Sequence, residues 1–160
     1  MERSARLSPC RRYRYSLWRN WRGLLPEAKG YAMLVGLNPS TADETNDDPT
    51  IRRCIAFAQA WGYEGLCMTN LFAFRATAPV DMMDADDTVG PDNDRALRDL
   101  AETAGVVVAA WGVHGTFGGR NRAVRAMLPR LHYLRLTKNG HPGHPLYLPK
   151  TLVPTEWMRS

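Results

Sequence analysis

Two asparagines are among the residues of this sequence best placed to do chemistry. The first, Asn38, stands in the run Gly-Leu-Asn-Pro-Ser, between a glycine that permits a tight turn and Pro39, which fixes the backbone beyond it. An amide held in this way can position a water molecule or bind the edge of a base. The alternative is a common Asn-Pro-Ser turn in which Ser40 caps a helix.

The second amide, Asn70, precedes the run Leu-Phe-Ala-Phe-Arg. A side-chain amide offers both a donor and an acceptor, which suits the Watson–Crick edge of a base. Either Phe72 or Phe74 would supply a stacking face and Arg75 a phosphate contact. The alternative is that both phenylalanines belong to the core.

Two histidines, His141 and His144, are each followed by proline near the C-terminus. A neutral imidazole held in a rigid loop can donate a hydrogen bond to an anion that develops on a leaving group. The pair could instead bind a metal with the acids of residues 43–48, but the spacing lacks the helical pairing of zinc proteases. Asp48 is the acid to watch, since Pro49 suits the first position of a helix that Asp48 would cap.

A glycine-rich stretch at residues 112–119 leads into a helical pattern that begins with Arg120 and Arg122. Exposed backbone N–H groups and these arginines make a candidate phosphate cradle, with His114 as either a titrating group or an ordinary loop histidine. The loop after the first predicted strand, Gly-Leu-Asn-Pro-Ser-Thr, is neither a GxGxxG nor a Walker loop, which argues against classical dinucleotide or nucleotide triphosphate binding.

Short apolar runs alternate with helical patterns and position these loops. The predicted strands are Tyr31–Val35, Leu66–Thr69, Val106–Ala110 and His132–Leu136, and the predicted helices are Pro49–Trp61, Asp92–Ala104 and Arg120–Leu128. This alternation predicts an α/β fold, a three-layer α/β/α sandwich around a central four-stranded parallel sheet. Ligands of such sheets bind beyond the carboxyl ends of the strands, where the candidate residues stand.

Length and composition predict one globular domain over residues 1–160, with residues 1–30 as a basic N-terminal extension packed on the core. Three cysteines without a CxxC spacing argue against a disulfide framework, a structural zinc site and an iron–sulfur cluster. No apolar run approaches the roughly 20 residues of a membrane span, and the N-terminus lacks a secretory apolar core, which predicts a cytoplasmic protein.

The net charge is +5, and the bases are concentrated at the two ends of the chain. Residues 1–22 contain seven arginines, whereas most of the charged residues in 41–104 are acidic. If the two ends of the chain meet in space, they form a basic face that is typical of a nucleic-acid binder, and the alternative is a solvated basic surface that binds nothing.

The order of these strand-end motifs over residues 31–148 resembles the uracil-DNA glycosylase superfamily. More closely, the stretches GLNPSTAD, DDPTIRR, TNLFAFRAT and GHPGHPLYLP resemble a bacterial and phage family of unknown function placed near that superfamily. The resemblance implies that Gly36-Leu37-Asn38-Pro39 is the amide version of the turn that positions the attacking water. It also implies that Asn70 reads the base, and that a His-Pro loop, assigned here to His144, stabilises the departing base.

The resemblance therefore implies a monofunctional DNA glycosylase that hydrolyses the N-glycosidic bond of a flipped-out modified pyrimidine, with DNA as partner, no obligatory protein partner and no cofactor. Excision of hypermodified bases from phage DNA, as antiviral defence, is its biological corollary. The implied catalytic residues are Asn38 and His144. The implied substrate-binding residues are Gly36, Leu37, Pro39, Ser40, Asp48, Asn70, Phe72 and His141. The implied DNA-binding residues are Arg75, His114, Arg120, Arg122, Lys138, Leu146 and Tyr147, and no metal ligand is assigned.

Three alternatives stay open at this point. The same residues would serve a hydrolase of free modified nucleotides or nucleosides. They would also serve a nucleic-acid-binding module without catalysis. The third alternative is a metal-dependent enzyme that uses the two C-terminal histidines and the acidic loop.

Overall fold

Seven strands form one mixed sheet in the computed structural model, which describes residues 1–21 and 30–158. The strands are β1 (Glu2–Leu7), β2 (Arg14–Asn20), β3 (Tyr31–Gly36), β4 (Gly65–Asn70), β5 (Val106–Ala109), β6 (Leu131–Tyr133) and β7 (Thr155–Glu156). Their order across the sheet is β1-β2-β4-β3-β5-β6-β7. No helix in the described part of the chain is long and apolar enough to cross a membrane.

The centre of the sheet comes from the apolar runs of the sequence. β3 pairs in parallel with β4 on one side and with β5 on the other, and β5 pairs in parallel with β6. Every residue of β4 and β5 is buried, as expected for strands that are covered on both faces. β6 is shorter than the sequence predicts, because the chain beyond Tyr133 pairs with the sheet no further, and Leu136 forms an isolated bridge with Pro142.

Four α-helices are found among the described residues: α1 (Pro49–Ala60), α2 (Pro79–Met83), α3 (Asn93–Thr103) and α4 (Arg120–Met127). The three predicted helices correspond to α1, α3 and α4, while the sequence analysis did not predict α2. α1 begins where its signals place it, because Asp48 Oδ1 accepts a hydrogen bond from Ile51 N at 2.9 Å and proline occupies the first turn.

Helices cover both faces of the sheet, and the strands alternate between them. On β3, Ala32 and Leu34 pack with α1 residues such as Cys54. The intervening Met33 and Val35 pack against α3 and α4. The predicted α/β class is therefore confirmed, and the two apolar clusters hold the strand ends in fixed relative positions.

The sheet differs from the predicted one in having seven strands instead of four. The N-terminal residues form a β1–β2 hairpin, β2 pairs antiparallel with β4, and β7 pairs antiparallel with β6. The sequence of β2 concealed this strand because its buried positions include two arginines, Arg14 and Arg19, which are rarely buried. Residues 22–29 of the predicted N-terminal extension lie outside the described residues.

Arg19 fastens the polar loop that follows β3. Its side chain is fully buried, and Nε donates to Asp47 Oδ1 at 2.7 Å. Its Nη2 donates to the backbone oxygens of Asp43 at 2.6 Å and Asn46 at 3.1 Å. The Asp43 carboxylate accepts hydrogen bonds from the backbone N–H groups of Thr45 and Asn46, which lower the pKa of Asp43 to about 2. The loop is thus ordered by polar contacts rather than by regular structure.

We predict that Arg19→Met destabilises the protein by about 3 kcal/mol, because it leaves Asp47 and two loop carbonyls without their buried cation. Urea unfolding followed by circular dichroism measures the change. The matched control is Arg3→Met, since Arg3 is exposed and donates to Thr45 O at 3.3 Å from the surface. Equal losses for the two variants would contradict an anchoring role for Arg19.

Candidate functional site

A cavity of about 750 Å³ opens at the carboxyl ends of β3, β4 and β5. The chain leaves β3 for β4 on one side and later returns to β5 on the other side, so the strand order reverses at β3. Such a reversal leaves a crevice beyond the strand ends, which is where open α/β sheets bind ligands. The volume lies within the range of about 300–1,000 Å³ that is typical of small-molecule sites.

Most of the residues that the sequence singled out lie in the wall of this cavity. They come from the loops after four strands and from the start of α1. Those in the wall are Gly36, Leu37, Asn38, Pro39, Ser40, Asp48, Asn70, His114, His144, Leu146 and Tyr147. The cavity thus brings together both predicted catalytic residues and the amide predicted to read the base.

Asn38 has a fixed orientation. Its amide nitrogen donates to Ala76 O at 2.8 Å and to Pro39 O at 3.1 Å. Because carbonyl oxygens only accept hydrogen bonds, the two contacts identify this atom as the nitrogen. The side-chain oxygen of Asn38 has no protein donor among the described residues, so Asn38 offers the cavity a hydrogen-bond acceptor.

Asn70 is oriented the other way round. It is buried, and its Oδ1 accepts a hydrogen bond from Arg14 Nη2 at 3.3 Å. Since a guanidinium only donates, the contact leaves the amide nitrogen free to donate. That nitrogen has no acceptor in the described part of the chain, and it lies 2.9 Å from where a Cβ on Gly36 would stand. Gly36 therefore leaves room for the donor that Asn70 presents.

Arg14 is a cavity residue that the sequence analysis missed. Its side chain is 2% exposed, and Nη1 donates to Ala42 O at 3.0 Å. Burial lowers the pKa of Arg14 to about 10, and the nearby negative charge of Asp48 opposes this shift. Arg14 therefore stays charged at neutral pH and holds the Asn70 amide in a single orientation.

His144 offers a donor to the cavity. Its Nδ1 accepts a hydrogen bond from Leu146 N at 3.2 Å. A backbone N–H only donates, so the neutral ring carries its proton on Nε2. Burial lowers the pKa of His144, while the negative charge of Asp48 acts in the opposite direction. The ring is consequently neutral at physiological pH, with a free N–H to donate.

Asp48 is the one carboxylate in the cavity wall as the described residues build it. Its Oδ1 caps α1 through Ile51 N, and its second oxygen has no hydrogen-bond partner among those residues. The charge of Asp48 influences both Arg14 and His144. A proton acceptor thus lies in the same cavity as a positioned amide and a neutral imidazole.

The mouth of the cavity is apolar and exposed. Tyr147 is 83% exposed, with its ring centroid 5.5 Å from that of His144. Leu146 and Val113 are also exposed on the cavity wall. Exposed apolar side chains at the entrance of a cavity are typical of surfaces that contact a ligand or a partner.

Six predicted site residues lie elsewhere. Phe72 is 2% exposed and packs edge-on against Phe117, so the alternative that it belongs to the core describes it better. Arg120 is buried, where Nε donates to Leu71 O and Nη2 pairs with Asp94 at 2.6 Å. The remaining four, none of which lines the cavity, are His141, Arg75, Arg122 and Lys138.

The glycine-rich loop contributes to the cavity only through its first part. Gly112 and His114 line the wall, whereas Gly118 and Gly119 adopt positive φ angles ahead of α4 and lie outside it. Trp111, two residues beyond the end of β5, is a further wall residue to which the sequence assigned no role. Within residues 1–21 and 30–158, no three His, Cys, Asp or Glu side chains are grouped to hold a metal ion.

Comparison with known proteins gives one family. A family model described as a protein of unknown function (DUF1643) matches residues 14–146. No curated protein and no solved structure matches the chain. The matched range contains every residue of the cavity wall except Tyr147.

We predict that Asn38→Asp destabilises the protein at pH 7 by about 1–3 kcal/mol, because a carboxylate oxygen would face the carbonyls of Ala76 and Pro39 in place of a donor. The loss shrinks at low pH, where the introduced carboxyl is protonated and can donate one bond. Urea unfolding of variant and wild type at matched pH values measures it. Asn38→Ala, which removes the donor without adding charge, is the control. A stable Asn38→Asp variant at pH 7 would contradict the assigned orientation.

We predict that His144 titrates below its usual pKa of 6.5, because burial disfavours the charged ring. Asp48→Asn lowers the pKa of His144 further by removing the negative charge that supports protonation. It keeps a side chain able to cap α1. Nuclear magnetic resonance titration of the ring measures both values, with the urea-unfolded protein as reference. A pKa above the unfolded value would contradict the effect assigned to burial.

Proposed function

The chain belongs to the family of proteins of unknown function DUF1643, and from the cavity that its matched residues build we propose that it is a monofunctional DNA glycosylase. It hydrolyses the N-glycosidic bond of a modified pyrimidine that is flipped out of the strand. The observation that carries the proposal is the convergence of an oriented acceptor, Asn38, and two oriented donors, Asn70 and His144, on one cavity.

The reaction breaks the bond between sugar C1′ and the base nitrogen, and the bonding electrons leave with the base. The base departs as an anion, and His144 Nε2–H donates a hydrogen bond to it. A water oxygen then bonds to C1′ of the oxocarbenium-like sugar. Asn38 Oδ1 accepts a hydrogen bond from this water and orients it, and the water's proton passes to Asp48, because an amide does not accept a proton.

Base recognition falls to Asn70. Its free N–H group donates to a carbonyl oxygen on the base edge, and Arg14 prevents the amide from turning over to present its oxygen instead. A base with an amino group at that position would be disfavoured, because its amino group and the Asn70 N–H group are both hydrogen-bond donors. The cavity is larger than a single pyrimidine ring requires, which favours a base that carries an added group.

The entrance of the cavity has features that favour the binding of a flipped-out nucleotide. Leu146 and Tyr147 are exposed beside His144, where an apolar side chain can enter the space that the flipped base leaves. The proposal includes a uracil-DNA glycosylase-like layout, with the four inner strands carrying the loops of the site. It also includes action in the cytoplasm on hypermodified phage DNA, as antiviral defence.

We predict that the purified protein, with EDTA present, creates abasic sites in DNA that carries one hydroxymethylated or glucosylated pyrimidine. Alkali breaks the strand at these sites, and gel electrophoresis measures the rate. Asn38→Ala, Asp48→Asn and His144→Gln each lower the rate by about 100-fold or more, because each removes a group that acts at the reacting atoms. The matched control is His141→Gln, which alters a histidine outside the cavity wall and leaves the rate unchanged.

Other outcomes identify the rival functions. Release of a base from free nucleotides but from no DNA would indicate a nucleotide hydrolase. Tight DNA binding with no base release would indicate a binding module. Equal losses for His141→Gln and His144→Gln would contradict the role assigned to His144.

A further inference from the structure

A second groove, of about 450 Å³, adjoins the cavity on the side of the β1–β2 turn. It is lined by three arginines, Arg11, Arg12 and Arg75, together with Phe74 and four residues that also line the cavity. No carboxylate belongs to its wall as the described residues build it. Its charge therefore suits an anionic ligand.

The groove is preformed by hydrogen bonds between the β1–β2 turn and the loop after β4. Arg75 N donates to Arg12 O at 2.8 Å, and Arg75 Nη1 donates to Arg11 O at 3.2 Å. An antiparallel bridge joins Tyr13 to Phe74. The turn between β1 and β2 is thus fastened to the loop after β4, and the three guanidinium groups are carried on one rigid unit.

Arg11 occupies a backbone conformation that favours glycine. Its φ is +61°, the one positive value found outside glycine in the described chain. A residue with a Cβ adopts this conformation at a cost in stability, and such residues cluster at functional sites. The arginine side chain thus stands at a position where the fold itself would be served better by glycine.

The three arginines differ in how they are neutralised. Arg11 Nη2 lies 2.7 Å from Glu44 Oε1 in a half-exposed ion pair. Neither Arg12 nor Arg75 has a carboxylate partner among the described residues. Two positive charges therefore remain available, and the third is held by a solvent-exposed pair that an anion can displace.

The groove and the cavity are continuous. Ser40, Thr41, Ala76 and Thr77 belong to the walls of both. Ala76 O also accepts the hydrogen bond that orients Asn38. If one base of a nucleic-acid strand entered the cavity, the neighbouring part of that strand would consequently lie along the groove.

We propose that this groove binds the phosphates of the DNA strand that flank the flipped nucleotide, with Arg11, Arg12 and Arg75 as the contacting residues. This inference rests on the proposed function, since the strand is placed by the base in the cavity. It assigns the anchoring of the DNA strand to the turn between β1 and β2 and to Arg75 in the loop after β4.

The test measures the affinity of the full chain for an unmodified single-stranded oligonucleotide over a range of salt concentrations, by fluorescence anisotropy. Arg12→Gln and Arg11→Gly each weaken binding and reduce the slope of log affinity against log salt by about 0.7, the value for one phosphate contact on a single strand. Arg11→Gly leaves the melting temperature unchanged or raises it, because it relieves the positive φ. Loss of affinity therefore cannot be ascribed to unfolding.

Two further variants sharpen the result. Glu44→Gln strengthens binding, since it frees Arg11 from its competing carboxylate. Arg98→Gln is the matched control, because Arg98 lines a separate depression between α3 and α4. It makes the same charge change and leaves the affinity close to that of the wild type.

The outcomes separate this inference from the proposed function. If the protein excises a base while the groove variants bind DNA like Arg98→Gln, the groove assignment is wrong and the function stands. If the groove variants alone lose affinity but no base is released, the groove assignment stands without the glycosylase. If the wild type binds no oligonucleotide at low salt, the groove does not hold DNA.

Discussion

Two buried guanidinium groups from β2 hold the loop between β3 and α1, and the cavity depends on that loop. Arg14 donates to Ala42 O and Arg19 to the backbone oxygens of Asp43 and Asn46. A buried cation is tolerated only where acceptors surround it, so the loop and the arginines require each other. Because the loop begins beside Asn38 and ends at Asp48, the same contacts determine where the amide and the carboxylate stand.

The hydrogen bonds around Asn38 explain why an amide occupies this position. Two carbonyl oxygens accept from its nitrogen, and a carboxylate would meet them with like charge. In the proposed reaction the two tasks of a catalytic carboxylate are therefore divided between residues. Asn38 orients the water, and Asp48, which lies at the other end of the loop, accepts the proton.

The inner strands and the three longer helices could be predicted from the sequence. Strands that are buried on both faces appear as apolar runs, and helices appear as apolar residues at helical spacing. Strand ends also indicated the site, since parallel strands bring their carboxyl ends to one edge. Arg14 could not be found this way, because its strand is antiparallel and it is the start of β2 that lies near the end of β4. Phe72 follows β4 by two residues and Arg120 begins α4 after the glycine-rich loop, but their side chains are buried and contact Phe117 and Asp94. The position of a residue along the chain does not determine the direction in which its side chain points.

Backbone hydrogen bonds continue beyond the ends of β3 and β4 and join their loops. Leu71 N donates to Gly36 O, Phe72 N to Leu37 O and Ala76 N to Pro39 O. The loop that carries Asn38 and the loop that lines the groove are therefore one rigid body. In the proposed reaction, a strand held by its phosphates in the groove would press on the same backbone that orients Asn38. Binding of the DNA strand would then affect the position of Asn38 through these rigid backbone contacts. It would require no movement of one domain against another.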